Sequence, residues 1–250
     1  MVNNMARYKL TLEYDGTGLI GWQKNRHGDS VQSLLHAAIY KFCQQDVDVV
    51  GAGRTDAGVH ALSMCAHIDI EQRAESREQI KKAINFHLKE MDARIVILDC
   101  ELVSDDFHAR FDCKMRHYKY VILNRTARPV LEKDKVYWIP KNLDVNKMIA
   151  VAPAFLGERD WTSFRAAECQ AKSPIKSLES IQITNHESRI TIEVSGRSFL
   201  HHQVRNIVGT LVEIGLGKDL NIDEIFAARN RAAAGPTAPA SGLYFVAADY

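Results

Sequence analysis

Tyr8, Leu10, Leu12 and Tyr14 alternate with Lys9, Thr11 and Glu13. A period of two with one apolar side fits a half-buried strand and no helix. Asp15-Gly16-Thr17-Gly18 breaks the pattern. Asp29-Ser30 then offers an N-cap to a helix with Val31, Leu34, Leu35, Ala38, Ile39 and Phe42 along one side. A short apolar run, Val47 to Val50, leads into a glycine-rich loop, and Met64, Ala66, Ile68 and Ile70 alternate beyond it. Ser76 and Gln79 have the spacing of a capping box, opening a helix with Ile80, Ala83, Ile84, His87 and Leu88 inward. Arg94 to Leu102 reads as another strand. The order strand, helix, strand, strand, helix, strand is that of a split βαβ unit and predicts an α+β fold.

The second half has the same texture. His117 to Leu123 is strand-like, and Val145 to Leu156 is helical behind an Asp144 cap, with Pro153 expected to kink the helix or end it early. Ser177 to Thr184 and Arg189 to Ser195 read as strands around a polar turn, Asn185 to Ser188. Phe199 to Leu216 carries helical periodicity, and Asp223 is read as the cap of a short helix from Glu224 to about Asn230. A run of small residues, AAAGPTAPASG, precedes a last strand at Leu243 to Val246. Two α+β halves are expected, residues 1–110 and 111–250, joined near residues 105–115.

The 250 residues suffice for one large domain or two smaller ones. No apolar run approaches the roughly 20 residues that span a bilayer. The start, MVNNMARYKL, has no apolar leader core, so no membrane association and a cytosolic location are expected. Five cysteines without a C-x-x-C pair argue against a disulfide framework and a zinc site, and for plain core residues. A net charge of +1 gives no bulk basic excess. Lys114, Arg116, Lys119, Arg125 and Arg128 nevertheless cluster around Tyr118 and Tyr120. Such interleaving suits either a nucleic-acid surface or a strand with a solvated face.

The loop GAGRTDAGVH, Gly51 to His60, gathers three glycines around Arg54 and Asp56. Asp56 is either a turn residue satisfying nearby N–H groups or a reactive carboxylate, with Gly53 and Gly58 letting a substrate approach the backbone. Neither a phosphate-binding G-x-x-x-x-G-K-[ST] nor a full dinucleotide fingerprint is present, and no acidic cluster of the magnesium type is apparent. His201 and His202 are adjacent and diverge by about 100° on a helix, so they read as polar helix-start residues rather than metal ligands.

Six segments, in order, carry a resemblance over essentially the whole chain. They are LEYDGTGLIGWQ, AGRTDAGVHA, DDFHARF with RHYKY, WTSFRA, FLHHQVRNIVGTLVEIG and SGLYFVAADY. Together they resemble the tRNA pseudouridine synthase A family. The resemblance implies two halves similar to RNA-recognition folds, with antiparallel sheets joined into one catalytic fold around a central cleft. It also implies a homodimer with no metal or organic cofactor, isomerising uridine to pseudouridine at positions 38, 39 and 40 of the tRNA anticodon stem-loop. By position, Asp56 matches the family's catalytic aspartate and Arg54 the arginine that replaces the flipped base. Tyr118 matches the family tyrosine, with Arg116 and Tyr120 beside it. Arg205 matches the arginine of the HHQVRN segment, and Leu243 the leucine that lines the uracil slot. His60, which closes the loop, joins Arg54, Arg116, Tyr118 and Leu243 among the expected substrate-binding residues. Burial of the carboxylate would oppose its ionisation, and Arg205, on an otherwise apolar helix, is the candidate cation to offset that cost. Tyr118 has two roles open to it, stacking on the uracil or moving the C5 proton. Two departures from the family pattern are Lys89-Glu90-Met91 and Pro153.

Overall fold

A computed structural model describes residues 5–71 and 75–250 of the chain. The first four residues, on which the expectation of no leader partly rests, lie outside them. The Cα packing divides the chain into Met1–Lys114 with Phe245–Tyr250, and Met115–Tyr244.

In the first unit the alternating segment forms β1 (Met5–Tyr14), its even-numbered side chains buried. Helix α1 (Val31–Cys43) starts at Ser30, whose Oγ accepts the Ser33 N–H while Ser33 Oγ accepts the Ser30 N–H. A short β2 (Val50–Gly51) precedes β3 (His60–Glu71). Helix α2 (Arg77–Glu90) opens on the expected Ser76–Gln79 capping box, and β4 (Ile95–Val103) follows. β1 lies antiparallel between β3 and β4, and β2 pairs antiparallel with β3. That is the strand arrangement of a split βαβ unit. The last strand of the chain lies beside β3. The two helices pack together and α2 packs on β4. Leu35, Ala38 and Ile39 of α1 and Ile80, Ile84 and Leu88 of α2 are buried, as are Leu10, Leu12, Met64, Ile68 and Ile70 of the sheet. At the Lys89-Glu90-Met91 departure α2 runs through Glu90 and stops in a turn, with Asp92 at φ +52°.

The second unit begins with β5 (Met115–Asn124) and a three-residue β6 (Tyr137–Ile139) parallel to it. Asn124 braces this pair, donating from Nδ2 to Ile139 O and Lys141 O and accepting the Leu143 N–H at Oδ1. Helix α3 (Val145–Val151) has the expected Asp144 cap and passes at Ala152–Phe155 into a 3₁₀ turn containing Pro153, an early end as the sequence suggests. β7 (Gly157–Asp160) and β8 (Ile175–Leu178) form a separate two-stranded sheet, while β9 (Ser180–His186) and β10 (Arg189–Gly196) extend the sheet from β5. The strand expected at Ser177 to Thr184 is therefore two strands: Glu179 breaks it, and the pieces pair with different partners.

Helix α4 (Gln203–Gly215) starts four residues later than Phe199, because His202 sits at φ +63°, which no helical residue adopts. The cap of α5 (Ile222–Ala228) is Asn221 rather than Asp223. Asn221 Oδ1 accepts the N–H groups of Asp223 and Glu224, which places both acids in the first turn, where the helix dipole favours them. β11 (Leu243–Asp249) ends the chain, three residues longer than its apolar pattern suggests. Phe155, Trp161, Phe164 and Phe226 pack ring against ring as the aromatic centre of this unit. Among the described residues no helix is long and apolar enough to cross a membrane.

The antiparallel sheets with their helices bear out the expected α+β class. Four of the five cysteines are buried and Cys169 is half-buried. Burial pushes the Cys65 and Cys100 thiols up to about 11, away from the reactive thiolate. Native protein treated with a thiol-specific alkylating reagent is expected to modify Cys169 quickly and the other four only on unfolding. Peptide mapping after a short pulse checks this.

His67, buried in β3, accepts the Ala109 N–H at Nδ1 (3.1 Å). Burial, followed by the nearby Arg7 cation, lowers its pKa from 6.5 to about 4. A neutral imidazole is required in the fold, whereas the unfolded chain protonates near 6.5. The unfolded state therefore binds more protons between these values, and the stability from His67 is full above about pH 6.5 and lost as pH falls toward 4. Melting temperatures across this window should fall less steeply in His67→Gln, whose amide oxygen can still accept the Ala109 N–H.

Candidate active site

The Asp56 loop runs from β2 to β3, and its glycines meet a second glycine-rich segment, Asp15 to Trp22. Thr55 O accepts the Trp22 N–H (2.9 Å), and Asp56 O accepts the Val59 N–H (3.1 Å) around a turn with Gly58 at φ +80°. Thr55 Oγ1 and the Tyr14 hydroxyl share a buried hydrogen bond of 2.8 Å. Gly21, at φ +103°, lies so close that a Cβ there would stand 2.6 Å from Thr55 O and 3.1 Å from Asp56 C. The Trp22 indole covers Gly51 at the start of the loop, where a Cβ would come within 2.3 Å of its ring. Backbone on both sides of Asp56 is thus fixed by direct contacts. Asp56 is half-buried, Arg54 exposed and Thr55 buried, so the acid and the guanidinium are the accessible groups of a loop whose backbone is fixed.

His60 has a different place. It is fully buried, its Nδ1 accepts the Gly16 N–H (3.1 Å), and Asp15 Oδ1 lies 3.0 Å from the same nitrogen. The ring therefore joins the two glycine-rich segments.

In the second unit Arg116, Tyr118 and Tyr120 lie on one face of β5, opposite Gly196, Val194 and Ile192 of β10. All three are buried. Met115, His117 and Lys119 on the other face are half-buried, and the flanking Lys114, Arg125 and Arg128 are exposed. The Arg116 guanidinium donates to Arg197 O. The Tyr118 ring meets Phe199 edge-on at 5.0 Å. Tyr120 donates its hydroxyl to Pro239 O (2.7 Å), and burial holds its phenol neutral, far above the usual range.

Arg205 lies in the first turn of α4, half-buried, with its Nε donating to Ala238 O (2.7 Å) while its own carbonyl accepts the Ala238 N–H (3.1 Å). The small-residue run before the last strand makes this possible. Gly209 admits Pro236 so closely that a Cβ would stand 1.6 Å from Pro236 O, and Gly235 packs on Gly209 and Thr210. Asn206 Oδ1 accepts from Arg231 and Thr237, tying the run down from the other side. At its end Gly242 lies flat on the Tyr120 ring, and Leu243 is buried at the start of β11. Sequence periodicity misses this segment because its partners are backbone atoms. The signal available was the density of glycine, alanine and proline in a stretch with no polar turn chemistry. His201 and His202 lie in the turn before α4, their rings 4.0 Å apart.

The structure thus brings Arg54, Asp56 and His60 together on one loop of the first unit. Arg116, Tyr118, Arg205 and Leu243 belong to the second, on β5, α4 and β11. Tyr14, Gly21, Trp22 and Thr55, which sequence reading did not single out, form the support of the Asp56 loop.

The chain is similar to known proteins. The family model described as tRNA pseudouridine synthase matches residues 11–112 and 151–250, which include Asp56 and Arg205. A protein of Rhodospirillum centenum named tRNA pseudouridine synthase A is 49% identical over 248 residues, covering 98% of this chain and all of that protein. One of the same name from Brucella ovis is 45% identical over 249 residues, covering 98% of each. The chain belongs to the tRNA pseudouridine synthase family.

Proposed function

We propose that this chain isomerises uridine to pseudouridine in tRNA, acting at positions 38, 39 and 40 of the anticodon stem-loop. What carries the proposal is an acid held on a glycine-built loop, its backbone fixed on both sides, in a member of this family. The reaction breaks the N1–C1′ bond of uridine, turns the uracil and joins C5 to C1′. The C5 proton leaves to solvent and N1 gains one, so no electrons change hands and no redox partner is required.

Asp56 is the catalytic carboxylate. Two routes are open to it: attack on the sugar or the ring, or removal of a sugar proton to give a glycal. The target base is stacked and must be everted, at a cost of a few kcal/mol. Arg54, exposed beside Asp56, fills the vacated space and hydrogen-bonds the orphaned partner. Halves 1–110 and 111–250 both contribute, the second supplying Tyr118 and Arg205 as catalytic groups and Arg116 and Leu243 to the uracil site. The clamp on Ala238 supports the assignment of Arg205, since a guanidinium held at Nε is preorganised rather than swinging in solvent. His60, expected at the substrate site, would contribute by holding the loop to the Asp15–Gly16 segment. We also infer a cytosolic location and, as the family resemblance implies, a homodimer.

Tritium release from C5-labelled uridine in unmodified tRNA tests the proposal. Asp56→Asn should lower it on the order of 10³-fold while tRNA binding persists. Binding by the natural protein without any release would instead mark an RNA-binding module, and an unimpaired Asp56→Asn would remove the carboxylate from the chemistry. Tyr118→Phe keeps the ring and removes the hydroxyl. A fall on the order of 10²-fold identifies the phenol as the group that moves the C5 proton, and full activity leaves it the stacking role alone.

A further inference from the structure

Asp56 stands in a loop without regular secondary structure, yet the peptide before it has one buried side-chain anchor. Tyr14 is 2% exposed and Thr55 8% exposed, so neither presents a surface to an RNA. Their hydroxyls meet at 2.8 Å. Tyr14 ends β1, just past a register slip between Leu12 and Tyr14 that pairs it with Ala61 of β3. Its ring rests beside Trp22 at 6.3 Å, and the Trp22 N–H binds the carbonyl of that same Thr55. One short segment therefore grips Thr55 by side chain and by backbone, immediately before the carboxylate.

We propose that Tyr14 and Thr55 are positioning residues for Asp56: their shared hydrogen bond sets the rotation of the peptide that aims the carboxylate. This rests on Asp56 being the catalytic acid. A phenol in a rigid strand, packed on an indole, has few alternative rotamers. The Thr55 hydroxyl is thereby held in one direction, and with it the start of the Asp56 backbone. The flanking contacts, Gly21 against Thr55 O and Val59 N–H to Asp56 O, fix translation and the far side of the turn. Without the hydroxyl pair the loop keeps its place but loses its orientation. Misplacement of a reacting group by about 1 Å costs on the order of 10²-fold in rate.

The test uses the full chain, unmodified tRNA and tritium release. Tyr14→Phe and Thr55→Val each remove one hydroxyl while keeping the packing. Each should lower kcat on the order of 10- to 100-fold with KM changed by no more than about twofold. The double variant should fall no further than the worse single one, since the two hydroxyls form one contact. Thr55→Ser, which keeps the hydroxyl, should recover most of the rate. Should Tyr14→Phe fail to fold, the Thr55→Val and Thr55→Ser pair decides alone. An unchanged kcat, fully additive losses, no recovery in Thr55→Ser, or a loss that appears in KM rather than kcat would each overturn the proposal. Asp56→Asn measured in parallel keeps the two conclusions apart. Inactive Asp56→Asn beside fully active Tyr14→Phe and Thr55→Val defeats the positioning role alone, whereas active Asp56→Asn defeats the assignment of the carboxylate itself.

Discussion

The approach of Gly21 to the peptide carrying Asp56 is the contact on which the rest of the site depends. At φ +103°, 2.6 Å from a carbonyl at the point where any Cβ would stand, this position admits glycine alone. Two loops that lie far apart in sequence are thereby brought to backbone contact, and their polar groups pair with each other instead of with water. A carboxylate on such a base does not need to be ordered when substrate arrives. The conformational entropy of the loop, about 1–2 kcal/mol per residue for the backbone, has already been spent in folding.

The same device recurs in the second unit. Gly209 and Gly235 let the Gly235 to Ala238 stretch settle on α4 with almost no side chain between them. Ala238 then holds Arg205 by both its carbonyl and its guanidinium. In each unit close backbone packing fixes the segment beside a candidate catalytic residue, and in the first unit the Tyr14 and Trp22 side chains add to it. A fixed site has a reason to be built this way: hydrogen bonds between backbone groups are directional, and glycine leaves them nowhere else to go.

Much of the fold was legible in the sequence because it rests on periodicity and on capping. Tyr8 to Tyr14, the Ser30 and Ser76 caps and the helical stripe of α4 all appear where the pattern puts them. The differences arise where a neighbour overrides the pattern. His202 in the left-handed region delays α4, Asn221 displaces Asp223 as a cap by accepting two N–H groups, and Glu179 separates two strands that read as one. Asp56 and Arg54 stood out by their glycine surroundings, but the resemblance rather than the spacing suggested their roles. Tyr14 and Thr55 could not be found in this way. Their meeting depends on a register slip in a sheet, and hydrophobic alternation through Tyr14 looks the same with or without it. The burial of Tyr120 was equally hidden, since an aromatic amid basic residues looks alike on a wet strand and a dry one.

The route of the chain has one more consequence. β11 follows directly on the small-residue run of the second unit, but Phe245–Tyr250 pack with the first. There Phe245 is wholly buried, Asp249 O takes the Lys114 N–H, and Tyr250 donates to Ala109 O. The first unit is therefore discontinuous in sequence, and a fragment that stops at Lys114 lacks the strand beside β3.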